Sequence, residues 1–201
     1  MSAPPAYLDV SRLGRHAFGS RSLMWWGTAG FMVIEGVMFA MLVAVYAYLM
    51  GVEREWPPLP YAPPPLFWAN VTVAITLASL VPNHFLKRAV ESLDVRRTRR
   101  WMLADDAFGI AFLVARGFEM AAMNVRWDSN AYGSIVWLVL GFHTFHMLTD
   151  EAETWVLTWE MWRKPSARRM VDVSEDTLYW VFVVVSWLPL HLLVYWVPRW
   201  V

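Results

Sequence analysis

Residues 23–50 read LMWWGTAGFMVIEGVMFAMLVAVYAYLM, and apart from two tyrosines the only ionisable side chain among them is Glu35. A helix of that length extends about 42 Å at about 1.5 Å per residue, more than the roughly 30 Å of a bilayer's hydrocarbon core. A surface helix of a soluble protein would carry a polar face, and a membrane β-strand would be about half as long and would alternate apolar with polar residues. A cleavable signal peptide would have a shorter apolar region followed by small residues. The stretch therefore reads as a transmembrane helix, and lipid becomes the solvent for the rest of the chain.

Outward from it, four more apolar segments are long enough to cross a membrane: Leu66 to Leu86, Trp101 to Val125, Ala131 to Trp155 and Thr177 to Trp196. The expected fold class is all-α, an integral membrane bundle of five transmembrane helices over residues 23–201, preceded by a solvated cytoplasmic arm over residues 1–22. Composition agrees. The chain is 58% hydrophobic and 17% charged, against about 45–50% and about 25% in soluble domains. Trp56-Pro57-Pro58 and Pro63-Pro64-Pro65 make a stiff loop in which a helix cannot continue. Trp25, Trp26, Trp101, Trp127, Trp196 and Trp200 fall near span ends, where indole rings favour the headgroup level.

The 17 basic and 17 acidic side chains cancel, so the chain has no basic field with which to hold a nucleic acid. The absence of cysteine removes disulfides, thiolate metal sites and thiol nucleophiles. The zero net charge nevertheless conceals a polarised distribution. Three arginines lie in the arm (Arg12, Arg15, Arg21), six basic residues between the second and third spans (Lys87, Arg88, Arg96, Arg97, Arg99, Arg100) and four between the fourth and fifth (Arg163, Lys164, Arg168, Arg169). The opposite side has Arg54, Arg126 and Arg199, while Arg116 lies within the third span. The positive-inside rule then sets the N-terminus in the cytoplasm and the C-terminus outside.

Ionisable groups within spans are expensive and mark candidate sites. Glu35 lies about 15 Å past Trp25, and His143 and His146 lie about 16–21 Å past Tyr132. At a common depth, a carboxylate and an imidazole can share a hydrogen bond and a proton. Arg116 and Glu119, three residues apart, can neutralise one another on one helix face. His143, His146, Asp150 and Glu153 are spaced 3, 4 and 3 along another helix face. A di-metal bundle would need carboxylate-bearing partner helices with Glu-x-x-His spacing, and there are none, so no metal site and no catalytic residue is expected. Asp150 and Glu153 are expected where this helix runs past the membrane into the cytoplasmic surface, and Asp105 and Asp106 as counter-charges near the arginine-rich loop. A bis-histidine haem between His143 or His146 and His84 or His191 is the sharpest alternative from another class.

These motifs resemble, in order, the subunit III family of the haem-copper respiratory oxidases, in its short five-helix form. Ile34-Glu35-Gly36-Val37-Met38-Phe39 is similar to the family's Ser-Glu-x-Met-Phe-Phe segment, Trp56-Pro57-Pro58 to its Trp-Pro-Pro loop, and Asn70 to the asparagine opening its next helix. Arg116-Gly117-Phe118-Glu119 resembles its Gln-x-x-Glu-Tyr segment, with arginine in place of glutamine. Tyr132-Gly133-Ser134 and Gly141-Phe142-His143-Thr144-Phe145-His146 are similar to Tyr-Gly-Ser and Gly-Phe-His-Gly-Leu-His. Residues Tyr179 to Leu188 resemble the signature Tyr-Trp-His-Phe-Val-Asp-Val-Val-Trp-Leu, with Val181 and Val184 where the family has His and Asp.

The resemblance implies a non-catalytic membrane subunit of a cytochrome c or quinol oxidase that packs on subunit I, stabilises it and supports its proton uptake. It implies that this chain binds no redox cofactor, that haem and copper reside in partner subunit I, and that phospholipid lies between its helices. Arg116, Trp180, Trp187, Asp150 and Glu153 are then expected as lipid or subunit contacts. Glu35, His143, His146 and Glu119 are expected as proton-related or interhelical polar groups. The expected location is a bacterial or archaeal plasma membrane. The lost His and Asp leave a nitric-oxide-reducing relative as a second setting for the same fold.

Overall fold

The computed structural model describes residues 17–201, so most of the N-terminal arm, with Arg12, Arg15 and His16, lies outside the described residues. Five long helices form: α1 Leu23–Val52, α2 Leu66–Glu91, α3 Val95–Ala121, α4 Ala131–Arg163 and α5 Ala167–His191. Four begin on a side-chain cap that satisfies an otherwise orphaned backbone N–H. Ser22, Asp94, Asn130 and Ser166 accept from Trp25, Arg97, Gly133 and Arg169 respectively. The start of α2 is set instead by Pro63-Pro64-Pro65. Pro189 removes one backbone donor from α5. The helix is then re-registered through a π turn, Leu192–Trp196, before a last turn, Val197–Trp200.

Helices α2, α3, α4 and α5 form a four-membered bundle in which each packs on two neighbours, and α1 lies outside it against α4 and α5. Only Glu35, Phe39 and Tyr46 of α1 are buried, so this helix is attached along one narrow stripe. The Trp56 loop clamps its far end. Trp56 is buried, donates its indole N–H to Tyr46 at 2.8 Å and meets Tyr132 of α4 edge-on at 4.9 Å.

Among the described residues, four helices are long and apolar enough to cross a membrane: α1, α2, α4 and α5 with its extension to Trp200. The third expected span falls on α3, which ends at Ala121 short of the expected Val125 and is not apolar enough by the same measure. The reason is visible in its faces. Asp105, Asp106, Arg116 and Glu119 are buried, whereas Leu103, Ile110, Val114 and Phe118 are exposed. The charges point into the bundle and the apolar side chains outward, the reverse of a helix on a water-soluble protein. Helix α4, with 33 residues, is about 50 Å long and exceeds the hydrocarbon thickness.

Candidate functional site

The polar groups buried in the bundle separate into three sets. The first joins α1 to α4 and α5. Glu35, 4% exposed, has its Oε1 3.0 Å from Nε2 of His146, and its Oε2 accepts a hydrogen bond from the Tyr179 hydroxyl at 2.6 Å. His146 Nδ1 lies 2.7 Å from the Phe142 carbonyl. A carbonyl only accepts, so Nδ1 carries the hydrogen. One proton then lies between Nε2 and Glu35. The pair is a neutral imidazole facing a carboxylic acid, or an imidazolium facing a carboxylate, and in both forms it has no net charge. Phe39, one turn along α1 from Glu35, covers the His146 ring at 5.1 Å.

His143, three residues earlier on α4, belongs to a second set. Its Nε2 donates to the Val183 carbonyl at 3.1 Å, which leaves Nδ1 bare to accept from Arg116 Nη2 at 3.4 Å. Arg116 is completely buried. Its Nη1 donates to Glu119 Oε1 at 2.9 Å, and its guanidinium lies 4.0 Å from the centre of the Trp187 ring and 5.1 Å from that of Phe112. Tyr195, carried inward on the π turn, donates to the same Glu119 oxygen. Cation, carboxylate and aromatic faces thus supply in the interior what water would supply outside.

The third set lies at the end of the bundle that carries the two basic loops. Asp105 and Asp106 of α3, Asp150 and Glu151 of α4, and Glu175 and Asp176 of α5 are all buried there. Thr158 donates to Asp106 at 3.1 Å, and Thr154 lies 3.1 Å from Asp176. Glu151 is accommodated because residue 109 is glycine: a Cβ there would sit 1.6 Å from the Glu151 carboxylate. Among the described residues no three His, Asp or Glu side chains converge as metal ligands.

Within the chain, the expected site residues fall as follows. Arg116, Trp180, Trp187 and Asp150, expected as lipid or subunit contacts, are interior. Trp180 donates to Ser79 of α2 at 2.8 Å and Trp187 stacks on Arg116 and on His143, so these rings find partners within the chain. Of that group only Glu153 is exposed. Asp105 and Asp106 are buried against α4 rather than set among arginines. His143 and His146, adjacent on one helix, serve different networks. Every ring nitrogen of the two is engaged by a protein group, while His84 is exposed and His191 lies against Trp187 and Tyr195. Tyr179, Tyr195 and Asp176 are central, and nothing in the reading of single spans singled them out, because their roles arise only where helices meet.

A family model described as cytochrome c oxidase subunit III matches residues 7–199. The chain belongs to the cytochrome c oxidase subunit III family. It is 28% identical over 176 residues to cytochrome c oxidase subunit 3 of Thermostichus vulcanus, covering 86% of this chain and 87% of that one. With the same-named protein of Synechocystis sp. it shares 28% identity over 185 residues, 90% of this chain and 78% of the other. With a probable cytochrome c oxidase subunit 3 of Nocardia farcinica it shares 26% over 192 residues, 90% and 92%. Four apolar membrane helices and bacterial relatives make it a multi-pass bacterial membrane protein, one subunit of a multi-subunit respiratory oxidase.

As a subunit III, its short motifs acquire physical reasons. In Tyr132-Gly133-Ser134, Tyr132 packs on the Trp56 ring and Ser134 donates to the Trp127 carbonyl at 2.7 Å. Gly133 lets the Arg126 carbonyl approach to 2.2 Å from where a Cβ would be. The motif thus fixes the start of α4, the helix that carries both histidines. Val184, where the family signature has Asp, is fully buried among Phe112, Met147 and Trp180. Val181, where it has His, is exposed on the outer face of α5.

Proposed function

We propose that this chain is the non-catalytic subunit III of a haem-copper terminal oxidase, stabilising subunit I and supporting its proton uptake while the partner holds haem and copper. The observation that carries the reading is the commitment of the buried polar groups. Glu35 bonds His146 and Tyr179, which joins α1 to α4 and α5 and holds a proton, and His143 bonds Val183 and Arg116, which ties α4 to α5 and α3, so these groups are committed to protein partners and not to a metal or haem. The inside-out pattern of α3 supports five crossings, with Arg116 and Glu119 neutralising each other within the bilayer. The thirteen basic residues on one side support a cytoplasmic N-terminus.

The outer face of α1, with Ile34, Met41 and Tyr48 exposed, offers apolar surface for subunit I and for lipid. Beside it an apolar groove of about 420 Å³, bounded by Met32, Leu178, Val181, Phe182, Val185 and Pro189, fits a phospholipid acyl chain. Purification of the tagged chain in mild detergent should bring down a haem-containing, oxygen-consuming assembly with this chain in equal amount to its largest subunit. Recovery of the chain alone, or a haem band intrinsic to the chain and abolished by His143→Ala, would overturn the proposal. The Val184 position motivates a nitric-oxide-reducing assembly as a second reading. Oxygen and nitric oxide consumption by the purified assembly separate the two.

A further inference from the structure

Helix α1 packs on α4 and α5, so α2 and α3 form the opposite side of the bundle. Two stacked ring pairs join α2 to α3: Trp68 with Phe118, and Phe85 with Trp101, each with ring centres 4.8 Å apart and planes 18° from parallel. Trp68 and Phe85 are 17 residues apart on α2, and Trp101 and Phe118 are 17 residues apart on α3. Along either helix that is about 26 Å, close to the roughly 30 Å of a hydrocarbon core. At the levels between the pairs, Leu77, Val81, Ile110 and Val114 are exposed. The pairs therefore mark the two boundaries of an apolar belt, with the indoles of Trp68 and Trp101 at the headgroup levels.

Against the pair at the basic-loop end lies a groove of about 510 Å³, lined by Phe85, Arg97, Arg100, Trp101 and Ala104. The four α3 residues follow i, i+3, i+4, i+7 spacing, so two cations, a ring and a small side chain descend one helix face toward the midplane. Arg97 and Arg100, within about one turn beyond Trp101, fall at the level of the lipid phosphates. Arg99, between them in sequence, turns the other way and donates to the Met161 and Trp162 carbonyls of α4. Arg97 also reaches Asp94 at 3.2 Å, both side chains being exposed, and such a surface pair gains little and yields readily to a stronger anion. No carboxylate is among the described residues that line the groove.

The order of these groups identifies the occupant. Guanidinium groups at phosphate level call for an oxyanion, and the rings and Ala104 beneath them call for a hydrocarbon that continues toward the midplane. Free phosphate would leave the apolar part of the groove empty, and an acidic side chain would leave most of its volume. A phospholipid supplies both ends and surrounds the protein at this depth. Since no carboxylate lines the groove to receive an ammonium, a headgroup of net negative charge fits better than a zwitterionic one. We propose that the groove binds an anionic phospholipid, its phosphate between Arg97 and Arg100 and one acyl chain passing Trp101 and Ala104 along α3. The inference rests on α3 crossing the membrane, as proposed above. It adds a headgroup-selective site on the far side of the bundle from the acyl-chain groove beside α1.

The test uses the intact assembly in phosphatidylcholine vesicles that contain increasing shares of phosphatidylglycerol with a diazirine in one acyl chain. Irradiation followed by mass spectrometry should find saturable label on the peptides holding Phe85 and Trp101 to Ala104. The double variant Arg97→Gln, Arg100→Gln should raise the half-saturating share about 30-fold, as loss of two cationic contacts to an anionic lipid does. Arg163→Gln with Arg168→Gln, the same charge change on the other basic loop, should shift it by less than about threefold. Ala104→Trp, which fills the apolar part and leaves the charge intact, should raise it by about tenfold or more. Equal shifts from the two double variants would reduce the effect to general surface charge and overturn the proposal. So would equal labelling by a diazirine phosphatidylcholine, or a label that inorganic phosphate displaces and Ala104→Trp leaves unchanged. If no oxidase subunit co-purifies with the unmodified chain, the proposed function fails, and the label on the full chain still reads the lipid site. If the subunits co-purify and the groove takes no saturable label, only the lipid site is lost.

Discussion

Two glycines of the same helix predict opposite outcomes for the same substitution. At Gly133 a Cβ would lie 2.2 Å from the Arg126 carbonyl oxygen and 2.9 Å from Val125 Cγ2, whereas at Gly141 nothing lies within 4 Å. Normal contact would require the α4 start and the preceding loop to separate by roughly 1 Å. The nearer obstacle is backbone, itself tied down because Ser134 and Trp137 both bond to carbonyls of that loop. Overpacking a well-fitted interior costs about 1–3 kcal/mol, and an immobile neighbour puts Gly133→Ala in the upper half of that range. At about 2–4 °C per kcal/mol for a chain of this size, its melting temperature in detergent should fall by roughly 4–12 °C. Gly141→Ala should gain about 0.5–1 kcal/mol from reduced backbone freedom in the unfolded chain and melt slightly higher. Tryptophan fluorescence during heating reports both. If Gly133→Ala melts within about 1 °C of the unmodified chain, or if the two variants lose stability equally, the close approach does not govern the motif.

In the Glu35 network, Gln at position 35 can donate to His146 Nε2 and accept from Tyr179, so Glu35→Gln should stay within about 1 kcal/mol of the unmodified chain, whereas Glu35→Leu should lose about 2–4 kcal/mol by stranding both partners. Denaturation in mixed micelles checks this, and equal losses would favour an ion pair as the native form. For the second network, Arg116→Met should cost about 3–5 kcal/mol because it leaves Glu119 buried without its cation. The double variant Arg116→Gln, Glu119→Gln should recover at least half of that in the same assay, and an unimproved double variant would refute the pairing. At the α2–α3 turn, Leu93 is half exposed with a left-handed φ of 56°, and Leu93→Gly should raise stability by about 1 kcal/mol. A loss instead would mean that the Leu93 side chain packs usefully.

The helices were legible because lipid imposes simple demands on sequence. A run such as residues 23–50 has few folded options once its backbone must satisfy itself. The proline runs and the Ser22, Asp94, Asn130 and Ser166 caps bound the helices by local chemistry alone. Depth was legible as well: counting at 1.5 Å per residue from Trp25 and Tyr132 brings Glu35 and His146 to one level. Azimuth was harder. His143 and His146 share a helix face by spacing, yet a rotation of about 60° between them is enough to send one to Arg116 and the other to Glu35. Trp180 and Trp187 have the composition of interface anchors, and only the packing of the bundle around α5 makes them interior.

Sequence alone determined that the chain is a helical membrane protein, where its long helices lie, which family it resembles, and which ionisable groups are deep enough to need partners. These follow from periodicity, apolar length and residue identity, which are properties of one segment at a time. Tertiary structure decided who the partners are. Tyr179 on Glu35, Tyr195 on Glu119, Glu151 against Gly109 and Thr158 on Asp106 are relations between helices far apart in the chain. They depend on rotations and separations fixed by the packing of all five helices together, and no single segment encodes them.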